Sequence, residues 1–75
     1  MIRYWVNDEC DKHANRNHEV HKEGCPVFPE QATDLGLHPN CSSALINARQ
    51  YYFRVDGCKF CNPDCHYSQP AHGHE

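Results

Sequence analysis

The feature that most constrains this chain is its supply of soft donor atoms: six cysteines and seven histidines in 75 residues. A domain this small leaves much of its surface in water, and its apolar burial roughly cancels an ordering cost of about 1.5 kcal/mol per residue. A further tie has to tip the balance. A structural zinc supplies about 10–16 kcal/mol and a disulfide about 2–4 kcal/mol, so the fate of the sulfurs decides how the chain folds.

The sharpest local signal is Cys58-Lys59-Phe60-Cys61. A two-residue gap lets both thiolates face one tetrahedral ion, each sulfur about 2.3 Å away. Gly57 and Asn62 flank the pair, and a tight knuckle predicts a left-handed backbone at Asn62, which asparagine tolerates. Lys59 offsets part of the thiolate charge. The same spacing serves thioredoxin-like redox proteins, but there it lies in a βαβ context that this sequence lacks. Upstream, three residues separate His21 from Cys25, enough for a turn around Gly24. Together these residues make a Cys3His set, His21, Cys25, Cys58 and Cys61, which we read as zinc ligands. The 32 residues between Cys25 and Cys58 have room for one strand and one helix. His18 competes with His21 for the imidazole position, and the shorter spacing to Cys25 favours His21.

The intervening sequence predicts an α+β fold, a small antiparallel sheet of about three short strands packed on one helix. Residues 2–6 are β-branched or aromatic except for Arg3, a strand composition. Residues 7–17 are almost wholly polar and predict a loop. The segments 18–22 and 33–38 predict further strands, the first placing His18 and Val20 on one face and His21 on the other, the second turning Leu35 and Leu37 to the core. Pro26 and Pro29 make 25–31 an irregular connection. Asn40 is placed to cap a helix over residues 41–55, whose apolar face collects Cys41, Ala44, Leu45, Ala48, Tyr52 and Val55. Arg54 suits its carbonyl end and Gly57 its left-handed stop. One domain over 1–66 and a disordered tail over 67–75 complete the expected organisation.

His18-Glu19-Val20-His21, Cys25, Leu35-Gly36, Cys41, Ala44, Ala48, Gly57-Cys58, Cys61 and Cys65-His66 together resemble a family of short uncharacterised bacterial proteins, over about residues 18–66. That resemblance implies a shared fold. More remotely, the order His/Cys-x3-Cys, strand, helix, Cys-x2-Cys is similar to the zinc module of Ada-type DNA-repair methyl acceptors. The parallel would put His21, Cys25, Cys58 and Cys61 in the ligand positions. It departs from that module in having a histidine for one cysteine and no basic surface for DNA, so the methyl-transfer activity is not implied.

The remaining donors leave alternatives open. Cys41 lies on the apolar helix face and reads most simply as a buried small hydrophobe. Cys65 and His66 could form a second site, replace His21 in the first, or stay free, and Cys41 could meet Cys65 as a disulfide. Cys10 reads as an incidental thiol, and His13, His38, His72 and His74 as solvated. Six cysteines also permit 15 disulfide pairings, so a stapled domain is the main rival.

The N-terminal residues lack the basic and apolar regions of a signal peptide, and no apolar run is long enough to cross a bilayer, which predicts a cytoplasmic protein. A net charge of −3 disfavours nucleic acid as a partner. Four filled ligand positions leave no place for a catalytic water, which argues against an enzyme. Protein is the favoured partner, with Tyr51, Phe53 and Phe60 as candidate contact residues.

Overall fold

A computed structural model of the chain describes residues 1–10 and 16–67. Residues 11–15 of the expected loop over 7–17 and residues 68–75 of the expected tail lie outside these residues, as do His13, His72 and His74. Strands β1 (Ile2–Asn7), β2 (His18–Lys22) and β3 (Ala32–His38) are followed by helix α1 (Cys41–Ala48), strand β4 (Val55–Gly57) and a 3-10 turn over Pro63–Cys65. The class is α+β, and the sheet has four strands in the order β3-β1-β2-β4. β1 runs antiparallel to β2 and β3, whereas β4 runs parallel to β2. A parallel neighbour requires a crossover, and the chain between β2 and β4 makes one through β3 and α1.

The alternation of the strands gives the sheet two different faces. Tyr4, Val6, Val20 and Leu35 meet Ala44, Leu45 and Ala48 of the helix in the main core. Trp5 and His21, register partners on β1 and β2, take the opposite face, where Phe28 from the irregular 25–31 segment packs edge-on to Trp5 and tilted against His21. The core thus lies on the helix side, and the imidazole is covered by a loop on the other.

Three expectations need correction. The helix ends at Ala48, not near 55. Tyr52 and Val55 still pack on the core, but through a turn and a strand. Tyr52 stacks on His18 with ring centroids 3.7 Å apart and donates to Asp8 Oδ1 at 3.0 Å, while Val55 pairs with His18 in the parallel ladder. Those tertiary contacts override a helical spacing that continues in the sequence. The sheet is mixed and four-stranded, not antiparallel and three-stranded, because Val55–Gly57 joins it. In β3 only Leu35 reaches the core, and Leu37 is exposed. The register against β1 shifts between Tyr4 and Trp5, leaving Leu35 as the extra residue beside Gly36 at φ +85°, a bulge that breaks the alternation. The cap is where the sequence places it, with Asn40 Oδ1 accepting the Ser43 N–H at 2.9 Å.

Candidate metal centre

His21, Cys25, Cys58 and Cys61 come together from four places in the chain: the end of β2, the turn after it, the exit of β4 and the knuckle that follows. One donor atom from each lies within 4.8 Å of all the others, and all four residues are buried. His21 Nδ1 sits 3.4 Å from Cys25 Sγ and 3.9 Å from Cys61 Sγ, and Cys25 Sγ sits 3.8 Å from Cys58 Sγ. A tetrahedral zinc with its usual bond lengths has edges of about 3.8 Å between sulfurs and about 3.5 Å between sulfur and nitrogen. A disulfide would bring two sulfurs to about 2.05 Å. Three of the six donor separations therefore have the lengths of coordination-shell edges and the others lie within 4.8 Å, and Cys25, Cys58 and Cys61 are unbridged.

Local backbone chemistry builds this shell. Gly24, at φ +86°, turns the chain after β2, and the Cys25 N–H closes the turn on the Lys22 carbonyl at 3.1 Å. The knuckle is fixed to the same strand. Cys58 N–H and Asn62 Nδ2 both donate to the Val20 carbonyl, at 3.0 and 2.7 Å, and Asn62 N–H donates to the Cys58 carbonyl at 2.7 Å. Asn62 adopts φ −131°, not the left-handed conformation expected of it; its role is carried by the buried side-chain amide. Gly57, expected to end the helix, instead lies in β4, where an added Cβ would fall 2.8 Å from the backbone of Cys65.

Burial disfavours the charged forms of three of the four donors. Burial pushes the Cys58 thiol up, opposed by hydrogen bonds from the Cys61 and Phe60 backbone. Burial likewise pushes Cys61 up to about 12, although the Lys22 N–H approaches its sulfur at 3.4 Å. Burial lowers the pKa of His21, keeping the imidazole neutral. Without a cation, burial thus favours the neutral forms of His21, Cys58 and Cys61. A divalent ion would compensate the thiolates that burial otherwise disfavours. His21 Nε2 is buried without a hydrogen bond and lies 3.9 Å from Glu19 Oε1. That separation is too long for a hydrogen bond, yet it aims the free ring nitrogen at a carboxylate, the usual outer partner of a metal-bound histidine. Three soft sulfurs and one imidazole, shut from water, make a shell that can hold a metal ion.

The other donors lie elsewhere. His18 Nδ1 donates to the Asn7 carbonyl at 2.9 Å, so it does not compete for the centre. Cys41 is not a buried hydrophobe but half of a disulfide with Cys65, their Cα atoms 6.2 Å apart. His66 Nδ1 lies 3.1 Å from Asp56 Oδ2 and 3.0 Å from the Gly57 carbonyl, away from the cluster. His38, expected in solvent, is half-buried, with Nδ1 2.8 Å from Ser43 Oγ and Nε2 2.9 Å from the Leu35 carbonyl. Cys10 is a free, half-buried thiol. Glu19 is the supporting residue that spacing alone missed, whereas Asn62, singled out for its backbone, supports the knuckle through its side chain. Glu19 was findable, because it sits two residues before His21 and a strand brings such residues to one face.

Comparison with protein-family models, with curated proteins and with solved structures finds no match to this chain.

Proposed function

We propose that this chain is a small zinc-stabilised binding module that acts through protein contacts and not as an enzyme. The observation that carries the proposal is the set of three thiols and one imidazole gathered within 4.8 Å. Zinc is the ion that suits such a set, since it accepts Cys3His tetrahedrally and has no geometric demand beyond it. With four protein donors and a buried interior, the ion would hold β2 and the knuckle together and would have no open position for substrate.

Protein is the partner we favour because large apolar side chains remain in water: Phe53 is 94 % exposed, Phe60 61 % and Tyr51 53 %. Such residues supply contact area when a partner covers them. No helix among the described residues is long and apolar enough to cross a membrane. The unbridged sulfurs suit the cytoplasm, while the Cys41–Cys65 bridge is the product of an oxidising setting. A bound ion would reconcile the two by withholding the thiolates from oxidation. On this reading the similarity to the Ada-type module extends to the zinc and stops short of methyl transfer.

Metal analysis of protein purified without chelator tests the proposal. One zinc per chain is expected, lost from a Cys25→Ser variant; metal-free protein that folds equally well would refute it. A mobility-shift assay at low salt separates the partner classes. Salt-sensitive retardation of nucleic acid would overturn the preference for protein.

A further inference from the structure

The Cys41–Cys65 disulfide bears directly on the metal centre. Cys65 ends the 3-10 turn over Pro63–Cys65, which begins two residues after Cys61. Its N–H donates to the Asn62 carbonyl at 3.0 Å, and Asn62 is the residue whose amide pins the knuckle to Val20. On its other side the Cys65 backbone presses on Gly57, leaving no room for a Cβ, and Gly57 immediately precedes Cys58. The disulfide ties this segment to the first residue of α1. Both knuckle ligands, Cys58 and Cys61, are therefore braced by a strap whose far end is bolted to the helix.

From this arrangement we infer that the Cys41–Cys65 bond sets the metal affinity, so that the site is under redox control. The inference rests on the zinc reading above and adds its regulation. With the bond closed, the knuckle is held in its binding geometry before the ion arrives, and the ion does not have to order it. With the bond open, the strap over Gly57 loosens, and ordering Cys58 and Cys61 is charged against binding.

A dithiol reductant can open the bond. Its thiolate attacks the sulfur of Cys41, which is half-buried and borders a cleft of about 330 Å³ shared with Lys22, Asn40 and Cys61. Cys65 leaves as a thiolate, and the second thiol of the reductant then displaces Cys41 from the mixed disulfide. The protein's S–S bond breaks, the reductant's S–S bond forms, and two electrons and two protons pass to Cys41 and Cys65. The three sulfurs of the centre are already reduced and take no part. Because linkage is reciprocal, the bound ion makes the bond harder to reduce by the same factor.

Zinc affinity measured against a chromophoric chelator, on the wild-type chain before and after reduction, tests the inference. Loss of outer support typically weakens metal sites about 10–100-fold, and we expect at least about tenfold weaker binding with the bond open. The reciprocal readout is a reduction potential for the bond about 30 mV more negative with zinc bound, the equivalent of a tenfold change in K. A Cys41→Ser/Cys65→Ala chain should bind like reduced wild type and be indifferent to reductant, while a Cys25→Ser chain should show no reductant-sensitive binding. Equal affinity before and after reduction would overturn the coupling and leave the zinc reading standing. No zinc binding by the oxidised wild-type chain would overturn the zinc reading itself.

Discussion

The molecule ties itself together in two places, and the two ties do different work. At one end of the sheet, His21 and Cys25 from β2 and its turn meet Cys58 and Cys61 from the knuckle. Near the start of the helix, Cys41 is joined to Cys65. The first is a set of buried donors in which burial favours the neutral forms of His21, Cys58 and Cys61, so it would act as a tie only with a cation bound. The second is covalent and holds without any partner. Magnitudes separate them further. A structural zinc is worth about 10–16 kcal/mol, whereas closing a loop of about 25 residues is worth about 3.5 kcal/mol. A small domain that has both should unfold when it loses the first and only soften when it loses the second.

The largest expected effect is therefore at the metal end. Treatment with EDTA, or the Cys58→Ser substitution, should abolish the cooperative thermal transition or lower it by tens of degrees, followed by circular dichroism. If either leaves the transition in place, the ranking of the two ties is wrong. Next comes the disulfide. The Cys41→Ser/Cys65→Ala chain, kept loaded with zinc, should lose about 2–4 kcal/mol in urea denaturation and still unfold cooperatively.

Gly57 lies between the two ties, and Gly57→Ala should cost about 1–3 kcal/mol through overpacking against Cys65. The penalty should shrink when the disulfide is open, because the strap can then move aside; a double-mutant cycle reads that coupling. An undiminished penalty would mean that the strap is held by something other than the bond.

The smallest effect is that of pH on the metal-free chain. His21 has its pKa lowered by burial. Its contribution to stability is present above the unfolded imidazole value, about 6.5, and is lost as pH falls below it. The thiols of Cys58 and Cys61 are raised, so their contribution is present below the unfolded thiol value, about 8.5, and is lost as pH rises through the folded values. Whatever stability the metal-free chain retains should peak between these limits, and the disulfide should contribute no pH dependence. A metal-free chain that is most stable in acid would contradict the burial of His21.

What was legible in the sequence follows the same division. The Cys58–Cys61 spacing and the turn around Gly24 are local patterns, and they identified the four residues that converge. The preference for His21 over His18 rested on spacing, and the structure places His18 against Asn7 and Tyr52 instead. The Cys41–Cys65 bridge remained one option among several because a sequence separation of 24 residues carries no geometric signal. The helical spacing overruns the helix for a related reason: Tyr52 and Val55 fall on the apolar face by spacing and do pack on the core, but long-range contacts with His18 and Asp8 draw them there without a helix. β4 is three residues long and has no periodicity to detect. The bulge at Leu35 and Gly36 could have been suspected from the glycine inside a strand pattern; its effect on Leu37 needed the partner strand.

Zinc K-edge X-ray absorption on the purified chain probes the convergence of these donors most directly. A four-coordinate shell of one nitrogen at about 2.0–2.1 Å and three sulfurs at about 2.3 Å, unchanged by the His18→Ala substitution, is the expected result. A shell of oxygen and nitrogen alone, or zinc retained with sulfurs by a chain carrying Cys25→Ser and Cys58→Ser together, would contradict it.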